Sequence, residues 1–229
     1  MLAFQLYVLL SMGTSSVRVM ELFGDGMVLQ AASPDGPVAT SAAYVFGTGA
    51  SATTTITLRV TSSARTNSSF QAVVLGDAEG SWRVALPGFA AGGPYELLLA
   101  VAHERAMAMP AHVARNVYFG EVFLCSGQSN MEFPVSACDD AAAQEAAADA
   151  IGDAVRFWSA PDDSTFPAQS TLPIPAMRYY PAATSKTSPA SKRWRSANRT
   201  SAADFSALCW MQVCVLDVPF HFVRILLTT

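Results

Sequence analysis

The sequence predicts a chain of the β plus α/β class. A β-sandwich module occupies residues 22–112, and the opening of an α/β domain occupies 113–229. The first module is predicted by short segments that alternate apolar and polar residues with a period of two, separated by turn residues. The second is predicted by a near-continuous apolar run, "NVYFGEVFLCSG" from Asn116 to Gly127, of the kind buried on both faces of a parallel sheet. An alanine-rich stretch of helical composition follows that run.

Taken in order, the chain opens with "MLAFQLYVLLSMGTSSVRV". An apolar run followed by the small residues Gly13, Thr14, Ser15 and Ser16 matches the plan of a secretory signal over residues 1–20. The run is too short to span a bilayer. It lacks a basic leader and is interrupted by Gln5, so a first buried strand is the alternative. In "TTITLRV", Ile56, Leu58 and Val60 alternate with Thr55, Thr57 and Arg59, which gives one face to a core and one to water. "FQAVVL" and "SWRVAL" flank the turn "GDAEG" and predict a hairpin. "LPGFAAGGPYELLLAV" supplies a Pro/Gly loop and another strand, with Trp82 and Tyr95 as core aromatics.

The pattern changes after His112. The apolar run is read as one parallel strand, and "ACDDAAAQEAAADAIGDA" as a helix whose start is favoured by Asp139 and Asp140. "VRFWSA" is a second strand, "ADFSALCWMQVCVLDV" a further helix leading into an apolar segment, and "FHFVRILL" a strand. Between them lies a long Pro/Ser/Thr-rich loop over 160–200, in which Lys192, Arg193 and Arg195 form a solvated basic cluster or a site for an acidic sugar.

Composition narrows the function. Charged residues make up 14% of the chain, hydrophobic residues 51%, and the net charge is −4. A nucleic-acid partner, which requires a basic face, is excluded on this basis. The four cysteines, Cys125, Cys138, Cys209 and Cys214, form no C-x-x-C pair, so neither a zinc site nor a thioredoxin-like motif is indicated, and no cofactor is expected. They leave open one disulfide of unreadable pairing, or, for Cys125 and Cys209 in apolar runs, small buried hydrophobes. Sequons at Asn67 and Asn198 agree with a secreted glycoprotein.

One short motif carries chemistry. In "CSGQSNM", Ser129 follows the end of a buried strand, where α/β sheets bind their ligands, and Gly127 allows the tight turn that would present its hydroxyl. A nucleophile or a plain turn residue fits that local pattern. The wider block "NVYFGEVFLCSGQSNMEFPV" resembles the nucleophile segment of the sialate O-acetylesterases, a branch of the SGNH (GDSL-like) hydrolases. The likeness extends upstream through "FGDGMVLQ", "VFGTGASATTTITL" and "GSWRVALPGFAAGGPYELLL", and downstream through "WRSANRTSAADFSALCW". It covers most of residues 22–210.

The resemblance implies a three-layer α/β/α SGNH-type domain after the sandwich. It also implies hydrolysis of O-acetyl esters on sialic acids or related sugars through a serine acyl-enzyme, without a metal. Ser129 would be the nucleophile and its N–H an oxyanion donor, with Gln128 and Asn130 shaping the turn. The implied partner is an O-acetylated sugar, and the implied location is the secretory pathway, extracellular or lysosomal, with no membrane span.

In that family a glycine, an oxyanion asparagine and an acid–His pair lie later in the chain. Here "MQVCVLDVPFHFVRILLTT" has no glycine, no asparagine follows Asn198, and the one histidine after Ser129 is His221, four residues beyond Asp217. The expectation is therefore the N-terminal part of such an esterase, weak as a catalyst and poorly soluble. The alternative is a non-catalytic carbohydrate-binding or interaction protein, or a decayed fragment.

Overall fold

Alternation decides the first half of the molecule. The computed structural model describes residues 17–33, 43–62, 69–103, 107–126, 129–131, 133–159, 194–215 and 223–228. Strand β4 (Thr54–Ser62) buries Ile56, Leu58 and Val60 completely, as the period-two pattern requires. Its neighbours are β5 (Ser69–Leu75) and β7 (Gly92–His103), both antiparallel to it. β8 (Met109–Gly120) pairs antiparallel with β7, and the short β2 (Val28–Gln30) runs parallel to β8, giving a five-stranded sheet β2-β8-β7-β4-β5.

A second sheet, β1-β3-β6, is built from β1 (Arg18–Val19), β3 (Ala43–Thr48) and β6 (Ser81–Leu86). The two sheets share one core, in which Val45, Trp82, Val84 and Leu86 meet Ile56, Leu58, Leu97, Leu99 and Phe119. Trp82 is buried as expected, and the half-buried Tyr95 packs edge-on to Phe89 and Phe119. Gly47 of β3 is required by this packing, because a Cβ there would fall 2.6 Å from the Trp82 ring.

The expected hairpin "FQAVVL"–"GDAEG"–"SWRVAL" does not form. β5 pairs with β4 and β6 pairs with β3, so the turn carries the chain from one sheet to the other. The turn itself is well specified: the Asp77 carboxylate accepts from Glu79 N–H (3.1 Å) and Ser81 N–H (2.6 Å), and Gly80 takes φ +83°. Turn chemistry fixes a reversal but not the sheet to which each arm belongs.

The apolar run from Asn116 is likewise two strands. Its first part ends β8, which contains His112, and only β9 (Val122–Ser126) belongs to the next sheet. Gln30 organises the switch: its Oε1 accepts from Val122 N–H (3.0 Å), its Nε2 donates to Glu121 (3.2 Å), and Ala31 N–H donates to Gly120 C=O (2.9 Å).

In the third sheet, β10 (Val155–Ser159), β12 (Val223–Thr228) and β9 run parallel, in the order β11-β10-β12-β9. β11 (Arg195–Ser196) is antiparallel at the far edge. Helix α1 (Ala141–Ile151) connects β9 to β10; Asp140 stands at its N-cap position, with no side-chain capping bond to the helix. The last helical region is interrupted: α2 (Arg199–Ala203) and α3 (Ala207–Val215) are separate. All three helices share a core with Cys125, Val155 and Phe157, on one face of the sheet.

On the opposite face Trp158 joins the core shared by the other two sheets, and Leu124 is exposed. The described residues thus form a β-rich fold with a small parallel sheet, and they do not show helices on both sides of it. None of the described helices is long and apolar enough to cross a membrane.

Candidate active site

Ser129 opens a 3-10 turn, Ser129–Met131, that follows β9. In the parallel register Cys125 is level with Leu227, which is in turn level with the final residue of β10, Ser159, so the C-terminal ends of β9, β10 and β12 lie on one side. Ligands of α/β sheets collect at this edge, because the strand ends there leave backbone groups and diverging loops free. The structure places the Ser129 backbone at that edge, as the motif predicted.

A second 3-10 turn, Val135–Ala137, lies between Ser129 and α1, which begins at Ala141 within the alanine-rich stretch expected to be helical. The first turn of α1 is therefore not contiguous with Ser129.

Instead, the turn is held from α3. Cys125 and Cys209 form a disulfide, which joins the penultimate residue of β9 to the first turn of α3. Of the two readings left open for these cysteines, the pairing is the one observed, and it leaves no Cys125 thiol to react. On the other side of Ser129, the buried Ser206 hydroxyl lies 3.2 Å from Met131 Sδ. Ala207 N–H donates to Phe133 C=O (2.8 Å), and Val135 N–H donates to Phe205 C=O (2.9 Å). A bridge between Pro134 and Ser206 completes the seam.

Beneath it Phe157 stacks on Phe205 at 4.3 Å and meets Trp210 edge-on at 5.8 Å. The Trp210 indole donates to Gln144 Oε1 (3.0 Å), which ties α3 to α1. Sequence reasoning did not single out Ser206. The signal available for Ser206 was a serine directly before the apolar run "ALCWMQV", the place of a helix N-cap.

The other predicted site residues distribute as follows. Asp217 and His221 lie outside the described residues, as do Gly127, Gln128, Lys192 and Arg193. β12, which follows His221 in the chain, starts level with the start of β9, at the end of the sheet opposite Ser129. Among the described residues the histidines, His103 and His112, belong to β7 and β8 of the first module. Asn198 caps α2: its carbonyl accepts from Ser201 N–H (2.9 Å) and its amide donates to Ser196 C=O (3.2 Å). No group of three or more His, Cys, Asp or Glu side chains suited to a metal occurs among the described residues.

A shallow cavity of about 280 Å³ is lined by Asp25, Gly26, Arg115, Asn116, Arg156 and Trp194, with Ser196. Its centrepiece is structural. The buried Arg156 donates from Nη1 to the carbonyls of Gly26 and Asn116, both at 2.9 Å, and lies 4.3 Å over the Tyr118 ring. Burial lowers the pKa of Arg156, opposed by Tyr118 and Asp153, and burial lowers that of Arg195, opposed by Asp204. Arg156 lies near the start of β10, whereas Ser129 lies past the end of β9, so this cavity is not the site of the serine.

No family model matches the chain, and no curated protein matches it. Among solved structures, the chain is similar to that of a carbohydrate acetylesterase from Xanthomonas citri, with a TM-score of 0.60 and 26% identity. The match covers 92% of this chain and 39% of the acetylesterase, so the chain spans well under half the length of that protein.

Proposed function

We propose that this chain belongs to a carbohydrate ester hydrolase and supplies its serine nucleophile, Ser129. The likeness to a carbohydrate acetylesterase, across nearly the whole of this chain, is the observation that carries the reading. The position of the serine turn at the C-terminal edge of parallel strands supports it.

In the proposed reaction the Ser129 hydroxyl adds to the carbonyl carbon of an acetyl ester and gives up its proton to a base. The tetrahedral oxyanion collapses with loss of the sugar hydroxyl, which takes a proton as it leaves. Water then attacks the acetyl-serine, releasing acetate and restoring the hydroxyl. The Ser129 N–H is assigned as one oxyanion donor. The substrates proposed are O-acetylated sialic acids or related sugars, and the compartment is the secretory pathway. A Cys125–Cys209 disulfide supports an oxidising compartment.

Acetate release from O-acetylated sialic acid, acetylated xylo-oligosaccharide and an aryl acetate, each with the native protein and Ser129→Ala, tests the proposal. Release that is abolished by the substitution and fastest with the sialic acid supports both the chemistry and the substrate. Release fastest from the xylan fragment keeps the esterase and removes the sialate assignment. Sugar binding without any release, unchanged in Ser129→Ala, replaces the enzyme with a binding module.

A further inference from the structure

Resting on Ser129 as the nucleophile, we propose that Ser206 is a positioning residue that fixes the serine turn through Met131. Four residues before Ser129, Cys125 is bonded to Cys209; two residues after it, Met131 touches the hydroxyl of Ser206 at 3.2 Å. Ser206 is only 2% exposed, and the same hydroxyl accepts the N–H of Cys209 at 3.4 Å, in the manner of a helix N-cap. A closed circuit results: Cys125, Cys209, Ser206 and Met131 link both flanks of Ser129 to the first turn of α3.

This circuit bears on rate because an attacking oxygen must be held in a near-attack position, and small displacements cost large factors. A hydroxyl that served only as a cap would need no partner on the serine turn. Here the hydroxyl faces away from solvent, and its hydrogen is directed to the sulfur of Met131, inside the turn that carries the nucleophile.

Two variants separate capping from positioning. Met131→Leu conserves volume and leaves the cap, but removes the sulfur acceptor. Ser206→Ala removes both functions. Amide hydrogen exchange of the segment spanning Ser129 to Val135 is measured in the full chain with its disulfide intact, together with aryl-acetate turnover. Faster exchange in both variants is expected, with kcat reduced about tenfold in Ser206→Ala at unchanged KM. The double variant is expected to lose no more than Ser206→Ala alone, because one contact is being removed twice.

Unchanged exchange of this segment in both variants overturns the proposal, whatever the turnover. Losses in kcat that multiply in the double variant overturn it as well, because the two residues then act independently. Absence of turnover in the native protein counts against Ser129 itself, while the exchange data still decide whether Ser206 holds the turn.

Discussion

The five-stranded antiparallel sheet and the small parallel sheet bury their strands by different means. In β4 the alternate residues Ile56, Leu58 and Val60 are fully buried, while Arg59 between them faces water. In β10 the four consecutive residues Val155, Arg156, Phe157 and Trp158 are all buried. Val155 and Phe157 lie under the helices, whereas Trp158 enters the core shared by the other two sheets and Arg156 ties β10 to the carbonyls of Gly26 and Asn116. A strand buried on both faces therefore need not be sandwiched between helices. The arginine marks the difference, since a buried guanidinium requires acceptors that a layer of helices would not offer.

Substitutions in each region test this contrast. The largest effect belongs to the parallel sheet. The Cys125–Cys209 cross-link encloses a sequence separation of 84 residues, so the double variant Cys125→Ser, Cys209→Ser is expected to lose about 4–5 kcal/mol in urea unfolding on the chain-entropy account. A loss below about 1 kcal/mol would show that the helices hold β9 without it.

Arg156→Ala comes next, at about 3–4 kcal/mol, because the carbonyls of Gly26 and Asn116 lose their donor and β10 loses its packing on Tyr118. Leu58→Ala, a plain core truncation in β4, is expected to cost about 3 kcal/mol. The sharper distinction lies in fluorescence, since Trp158, like Arg156, lies in β10: Arg156→Ala should shift tryptophan emission before global unfolding, and Leu58→Ala should not. The smallest effect is that of Asn198→Ala, about 1 kcal/mol from the lost cap of α2.

The alternation of β4 and the strand character of β6, β7 and β10 were legible because each side chain's fate depends on its own polarity and the period of the chain. Membership of a sheet was not. The "GDAEG" turn specifies a reversal, but β5 pairs with β4 and β6 with β3, partners that the turn does not select. The run "NVYFGEVFLCSG" hides a break at Glu121, since Gln30, some ninety residues upstream, supplies the bonds that allow the chain to change sheets.

Spacing cannot show which cysteines meet, so the disulfide was likewise beyond a single sequence. The place of Ser129 just past β9 was visible through its motif. Its supports were not: Ser206 and Cys209 reach it only through the packing of α3, some eighty residues further along the chain.

The central claim is that the turn after β9 presents a reactive serine. Treatment of the full chain with a serine-directed fluorophosphonate, followed by peptide mass spectrometry, tests it most directly. The account predicts a single adduct on Ser129, absent from Ser129→Ala and slowed in Ser206→Ala. An adduct on another serine, or none in the correctly folded and oxidised protein, would contradict it.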